Sequence, residues 1–313
     1  MMTIIYILMA LIAGLIIVLL LTYYAFPKIL FASMTGLVRW RGGMREKSVR
    51  LGDNIWPYLE GGRDDGVPIV LLHGFGGDKD NWSIYARHMT RHHRLILPDL
   101  PGFGGNDRSL DRDYDIPMQS QRLKKFLDTM GIAKCHIGGN SMGGYIALQF
   151  ALDYPDSTAS LSLFNNAGIT GEDKSELVIA AEKGENALAL KNVSDVDRLM
   201  SFIAYKPVPM PKNFKKLFFA EADAHHELLD KIFWQIVDGS INHPLNDRLD
   251  EIAVPTLIVW GRHDRLIDVS CVAVLNQGIR NSEAVILEET GHVPMIERPR
   301  ETAAIHRSFF AKH

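Results

Sequence analysis

The run Gly139-Asn140-Ser141-Met142-Gly143 constrains this 313-residue chain more than any other feature. It follows a strand-like stretch, Ala133-Lys134-Cys135-His136-Ile137-Gly138, and precedes a helix-like one, Gly144 to Leu152. A G-x-S-x-G pattern in that context requires a sharp strand-to-helix turn that lifts a serine Oγ clear of the backbone. Glycines on either side let strand and helix approach closely and accommodate the strained backbone of the serine. The pattern predicts a serine hydrolase.

A serine hydroxyl is a poor nucleophile near neutral pH and needs a base and an orienting acid. In the fold that carries this turn they follow in the order Ser, Asp or Glu, His. Val254 to Gly261 is a buried-strand run that ends in Arg262-His263-Asp264, and Ala284 to Leu287 is another, ending in Glu288-Glu289-Thr290-Gly291-His292. Both candidates leave the carboxyl ends of strands, where open α/β sheets place their ligands. Asp264 takes the part of orienting acid and His292 that of general base, with Asp268 the competing acid. Singly, each would read as an ordinary loop aspartate or surface histidine; order and placement together carry the assignment. An oxyanion hole needs two N–H donors, one from Met142 after the nucleophile and one from the loop after an earlier strand. Val67 to Leu72 is such a strand and ends in His73-Gly74-Phe75-Gly76-Gly77, so Phe75 is the second donor. His73 is expected to buttress that loop rather than act as a base.

These residues carry a resemblance. Leu71 to Trp82 (LLHGFGGDKDNW), Pro98 to Gly105 (PDLPGFGG), Gly139 to Leu148 (GNSMGGYIAL), Val254 to Val269 (VPTLIVWGRHDRLIDV) and Gly291 to Thr302 (GHVPMIERPRET) are similar to the α/β-hydrolase superfamily. Within it they resemble the membrane-anchored monoacylglycerol lipases and bacterial lipase or phospholipase A relatives. The resemblance covers roughly residues 67 to 167 and 250 to 310. It implies an α/β-hydrolase fold, a mostly parallel central sheet flanked by helices with a helical lid insertion, and an acyl-ester substrate. C–C bond hydrolases of ring-cleavage products can carry GNSMGG as well. Ser141 speaks against the haloalkane dehalogenases and epoxide hydrolases of this fold, which use an aspartate nucleophile.

Residues 1 to 27 contain no charged side chain, and Ile4 to Phe26 is almost wholly apolar. At about 1.5 Å rise per residue such a stretch covers the ~30 Å hydrocarbon core of a bilayer. A cleaved secretory signal would need a basic start, a shorter apolar core and small residues at a cleavage site. Here no base precedes the run, and Tyr23, Tyr24, Phe26 and Pro27 close it. An uncleaved single-pass anchor is expected, with both tyrosines in the interface belt. Residues 28 to 50 then hold Lys28, Arg39, Arg41, Arg45, Lys47 and Arg50 against Glu46, a net +5. The whole chain is −3, which leaves −8 elsewhere. Ile29, Leu30, Phe31, Met34, Leu37, Val38 and Trp40 interleave with these bases, as in a helix lying on anionic head groups. Pro27 would open that helix and Gly42-Gly43 would close it. Taken literally, the positive-inside rule puts the catalytic domain on the cytoplasmic side, at the inner membrane of a bacterium; the same bases could bind either leaflet. The membrane segment is also a candidate surface for a homodimer.

The alternation of strands and helices breaks after Ala167-Gly168 and resumes at Val254. Between them four helices are predicted, Lys174 to Glu182, Asp195 to Ala204, Lys212 to Ala222 and Ala224 to Val237, with Pro207, Pro209 and Pro211 interrupting. The chain thus divides into an anchor (1–27), an amphipathic juxtamembrane segment (28–47), a first part of the core (48–167), a lid (168–247) and a second part of the core (248–313). The lid is rich in large apolar residues, and Met200, Phe202, Ile203, Phe214, Leu217, Phe218, Phe233 and Trp234 are its candidates for an acyl-chain pocket. Cys135 and Cys271 suggest neither a disulfide framework nor a metal site. No motif supplies a metal-ligand set, no cofactor is required, and nothing marks a nucleic-acid partner. The expected activity is hydrolysis of glycerolipid acyl esters (phospholipase A, lysophospholipase or monoacylglycerol lipase type). A C–C hydrolase is the alternative, and a non-catalytic membrane interaction protein on a hydrolase scaffold is disfavoured by the intact motifs.

Overall fold

Apolar runs that the sequence bounds with glycine and proline become strands covered on both faces, as parallel strands must be. In the computed structural model, which describes residues 1–313, the chain begins with α1 (Met2–Ala25), α2 (Pro27–Arg41), β1 (Met44–Leu51), β2 (Asn54–Gly61), β3 (Ile69–Leu72) and α3 (Ser83–Ala86). It continues through β4 (Leu95–Pro98), α4 (Ile116–Thr129), β5 (Cys135–Asn140), α5 (Met142–Asp153) and β6 (Thr158–Phe164). An insertion follows, α6 (Glu176–Glu182), α7 (Asp195–Ile203), α8 (Lys212–Ala224) and α9 (His226–Asn242). The chain closes with β7 (Thr256–Gly261), α10 (Cys271–Gly278), β8 (Ser282–Leu287), α11 (Pro294–Glu297) and α12 (Pro299–Phe310).

The strands form one sheet in the order β1-β2-β4-β3-β5-β6-β7-β8. The pairs β1–β2 and β2–β4 are antiparallel, and all other neighbours are parallel. Every residue of β3, β4 and β7 is buried. Core on one face gathers around Phe126, Phe150 and Trp260, and on the other around Trp82, Tyr85 and Phe309. This is the α/β-hydrolase fold that the resemblance implies. Helix α5 lies so close to the sheet that a Cβ at Gly139 would stand 2.3 Å from Gly143 C, and one at Gly143 would stand 2.5 Å from Leu72 O. Both positions therefore admit only glycine, and the turn between them is fixed in place.

The N-terminal helices differ in part from expectation. Helix α1 has no buried residue, and one helix of the chain, this one, is long and apolar enough to cross a membrane. Pro27 opens α2, and Gly42 with Gly43 (φ +67°) closes it. The juxtamembrane segment expected to run to residue 47 ends at Arg41, because Met44 already opens β1. Arg45, Lys47 and Arg50 thus belong to an edge strand, where charge discourages pairing with another chain. Lys47 Nζ reaches Glu60 Oε2 at 2.7 Å. Arg39 is occupied too: it bonds Asp80 through two nitrogens (2.7 and 2.5 Å) and Glu46 through a third, which fastens α2 to the body.

The loop after β3 is held by a buried ion pair, with Lys79 N–H and Nζ both donating to Asp99 at 2.8 Å. Beside it Asp78 caps the turn Lys79–Trp82 by accepting from Asp80 N–H. Burial, then the neighbouring Asp80 and Asp99, push the Asp78 carboxyl up to about 6 from 3.8. The folded state keeps a proton that the unfolded chain loses first. The associated stability is complete below pH 3.8 and is lost as pH rises through 6. Asp78→Asn retains the capping acceptor. It should raise stability at pH 8 by about 1–3 kcal/mol and change it little at pH 4. Thermal denaturation at the two pH values checks this, and equal shifts at both would contradict it.

Candidate active site

Three non-glycine residues adopt positive φ: Ser141 (57°), Asn165 (47°) and Glu289 (49°). Each follows the carboxyl end of a strand, β5, β6 or β8, and strain of this kind gathers where function needs it. Ser141 is locked by donating its N–H to the carbonyls of Phe164 (3.1 Å) and Asn165 (3.2 Å). The loop after β3 closes over it, since a Cβ at Gly74 would lie 3.2 Å from Ser141 Cβ.

Asp264, after β7, and His292, beyond β8, meet as a buried pair. His292 Nδ1 donates to Asp264 Oδ2 at 2.8 Å. With the proton on Nδ1, Nε2 is left as the acceptor that a general base requires. The carboxylate is saturated with donors: Oδ1 accepts from the N–H groups of Leu266 (2.8 Å) and Ile267 (3.1 Å), and Oδ2 also accepts from Asn165 Nδ2 (2.7 Å). Asp268 is used otherwise, accepting from Ser270 N–H at the start of α10.

Sequence patterns do not single out three further positioning groups. Asn140 Nδ2 donates to His292 O (2.9 Å) and so joins the residue before Ser141 to the histidine loop. Asn165 bridges Asp264 and Gly261 N–H. Glu297 accepts from Gly291 N–H (2.9 Å), Val293 N–H (3.4 Å) and Tyr205 N–H (2.8 Å), and burial raises its pKa. Polar residues at strand ends, Asn140 within the nucleophile motif and Asn165-Asn166 after β6, were the available signal.

His73 donates from Nδ1 to Gly74 O and accepts Leu100 N–H at Nε2 (2.9 and 3.0 Å). Burial lowers its pKa, and a ring that accepts at Nε2 is the neutral form. A second serine–histidine contact, Ser162 Oγ to His306 Nε2 at 2.8 Å, lies in the core. His306 is fully buried and held well below the usual imidazole range, its other nitrogen meets Tyr85 Oη, and no carboxylate touches it. That contact braces the core and is closed to substrate.

Ser141, Met142 and Phe75 line one cavity of about 160 Å³. The Phe75 ring packs edge-on against Phe103 and Phe233 (5.7 and 6.0 Å). The walls are mainly apolar, with Leu177, Val178 and Ala181 from α6 and Phe233, Ile236, Val237, Ser240 and Ile241 from α9. The α9 set follows the i, i+3, i+4, i+7, i+8 spacing of a single helix face.

Of the eight insertion residues expected to form an acyl pocket, Phe233 alone lines this cavity. Trp234 is one position, about 100°, round the helix and packs beside Phe233. Phe202 is buried beneath the Arg265 guanidinium. Ile203 accepts His292 N–H through its carbonyl (2.7 Å) and packs in the core on the α12 side of the sheet. Phe214 turns to Tyr23 and Phe31, away from the cavity, while Met200, Leu217 and Phe218 are half-buried elsewhere. Sequence hydrophobicity found the large residues, and the smaller ones on the facing helices form the walls. Cys135 and Cys271 are free, buried thiols, each pushed up to about 12 by burial.

The profile described as alpha/beta hydrolase fold matches residues 67–299. Lipase 1 of Psychrobacter immobilis is 36% identical over 253 residues, covering 80% of this chain and 79% of that protein. Monoacylglycerol lipase ABHD6 of Bos taurus is 31% identical over 287 residues, covering 87% and 84%. Among solved structures, a membrane phospholipase A described as a bacterial virulence factor superposes with a TM-score of 0.88 at 36% identity, covering 98% of both chains.

Proposed function

The chain belongs to the α/β-hydrolase family and is a carboxylic ester hydrolase, and from that premise we propose that it is a membrane-anchored serine hydrolase cleaving acyl esters of glycerolipids. The observation that carries the reading is the placement of Ser141 on an apolar cavity of about 160 Å³ next to the oxyanion loop. Ser141 Oγ attacks the ester carbonyl while His292 Nε2 takes its proton and returns it to the leaving alcohol. Asp264 orients the imidazole and stabilises the imidazolium. The N–H groups of Phe75 and Met142 meet the developing oxyanion. Water, deprotonated by the same histidine, then releases the fatty acid. Helix α1 anchors the enzyme as a single-pass span, and its exposed length also offers a face for pairing two copies.

A ring-cleavage product would bring a carboxylate into the cavity. The one base lining it, Lys174, is exposed and paired with Glu182 at 2.7 Å, and no arginine lines it. The walls therefore favour an acyl chain. The test is fatty-acid release from monoacylglycerol, lysophospholipid and diacyl phospholipid in mixed micelles, by mass spectrometry. Turnover of at least one is expected; inertness on all three with consumption of a vinylogous diketone would establish the C–C reading instead.

Asn165 is proposed to hold the Asp264 carboxylate for this reaction. Asn165→Gly suits the left-handed backbone and deletes only the amide. Losing a hydrogen bond to a charged group costs about 1.5–3 kcal/mol, so kcat should fall roughly 10–100-fold. An unchanged kcat would contradict the role.

A further inference from the structure

The insertion is bonded to the N-terminal helices as well as to the body. Asn213 donates its backbone N–H to Tyr23 Oη and its side-chain amide to Tyr23 O, both at 3.0 Å. Phe214 packs edge-on against Tyr23 and Phe31, at 5.6 and 5.5 Å between centroids. Tyr23 lies in the last turn of α1, so the start of α8 is pinned where the apolar helix ends. The chain entering that point reads Lys206-Pro207-Val208-Pro209-Met210-Pro211-Lys212.

Three properties of this segment fit one occupant. Its alternate prolines carry no N–H, so immersing the tip in a medium poor in hydrogen-bond partners strands few donors. Val208 is 84% exposed, with nothing of the body covering it. Lysines flank the tip: Lys206 is 72% exposed although it also reaches Glu289 at 3.0 Å, and Lys212 is exposed. An apolar tip between bases suits acyl chains below and anionic head groups beside it.

We propose that Lys206–Lys212 is a second lipid contact, placing Val208 and Met210 at the head-group–acyl boundary of the leaflet where α1 ends. The inference rests on α1 being the membrane anchor. Continuity with α1 through Asn213 and Tyr23 sets the depth, and the flanking lysines set a preference for anionic lipid. The insertion that lines the cavity is thereby held against the surface that contains the substrate.

The test uses the full chain with single added cysteines at Val208, at Leu15 in α1, and at Asp64 in the exposed turn after β2. Each carries an environment-sensitive fluorophore, Cys135 and Cys271 being buried. The proteins are placed in phosphatidylethanolamine–phosphatidylglycerol vesicles with nitroxide-bearing lipids. The Leu15 probe should be quenched most by deep nitroxides. The Val208 probe should be quenched by shallow ones, several-fold more than the Asp64 probe. Quenching at 208 no greater than at 64, with Leu15 quenched, would overturn the contact and leave the anchor standing. Absence of quenching at Leu15 would overturn the anchor, and this inference with it. In parallel, Val208→Asp should lower turnover of vesicle glycerolipid several-fold and leave a short soluble ester unaffected; equal loss on both would assign the segment to folding of the insertion.

Discussion

Ser141→Ala is expected to abolish ester hydrolysis, by about 10⁶-fold in kcat, with His292→Ala close behind and Asp264→Asn costing somewhat less. The three act as one unit, so double variants should lose little beyond the worst single one. Asp264→Asn removes the charge while keeping an oxygen toward the Leu266 and Ile267 N–H groups, so the loop after β7 should survive. Asp268→Asn is the control, because the Asp268 carboxylate accepts from Ser270 N–H while the imidazole bonds Asp264. Kinetics on a short p-nitrophenyl ester, with circular dichroism for the fold, decide the matter. Activity abolished by Asp268→Asn and retained by Asp264→Asn would reverse the assignment of the acid.

The second large effect concerns chain length. An apolar cavity of about 150 Å³ holds one benzene-sized molecule, so a cavity of about 160 Å³ accommodates an acyl chain of roughly six to eight carbons on that scale. Each buried CH₂ contributes up to ~0.8 kcal/mol, about four-fold in kcat/KM, until the space is full. Ala181 is buried in α6 and lines the wall. Ala181→Phe should cut kcat/KM for octanoyl esters by about 10²-fold while acetyl and butyryl esters are cleaved almost as before. Ile241→Trp, on the facing helix, should act in the same direction. A uniform loss at every length would show that neither residue bounds the acyl chain.

The fold and the pairing of Asp264 with His292 were legible because they depend on local signals: glycine spacing at the nucleophile turn, apolar runs, and polar residues at strand ends. The end of the second helix was legible too, since Gly42-Gly43 close it as expected; that Arg45 and Lys47 beyond it enter an edge strand was not, because pairing with β2 decides it. The cavity walls were not legible either. Composition points to the largest apolar side chains, but helix phase decides which face turns inward, and Phe214 and Trp234 face other neighbours. Asn165 escaped notice because its importance comes from a contact with Asp264, 99 residues away.

The proposed reaction passes through a covalent acyl-enzyme on one serine. Acid quenching during turnover of a glycerolipid or a slow acyl ester, followed by proteolysis and mass spectrometry, reads it directly. The acyl mass should appear on the peptide containing Ser141, vanish in Ser141→Ala, and be undetectable on the peptide containing Ser162. Acylation at Ser162, or turnover undiminished in Ser141→Ala, would rule out Ser141 as the nucleophile.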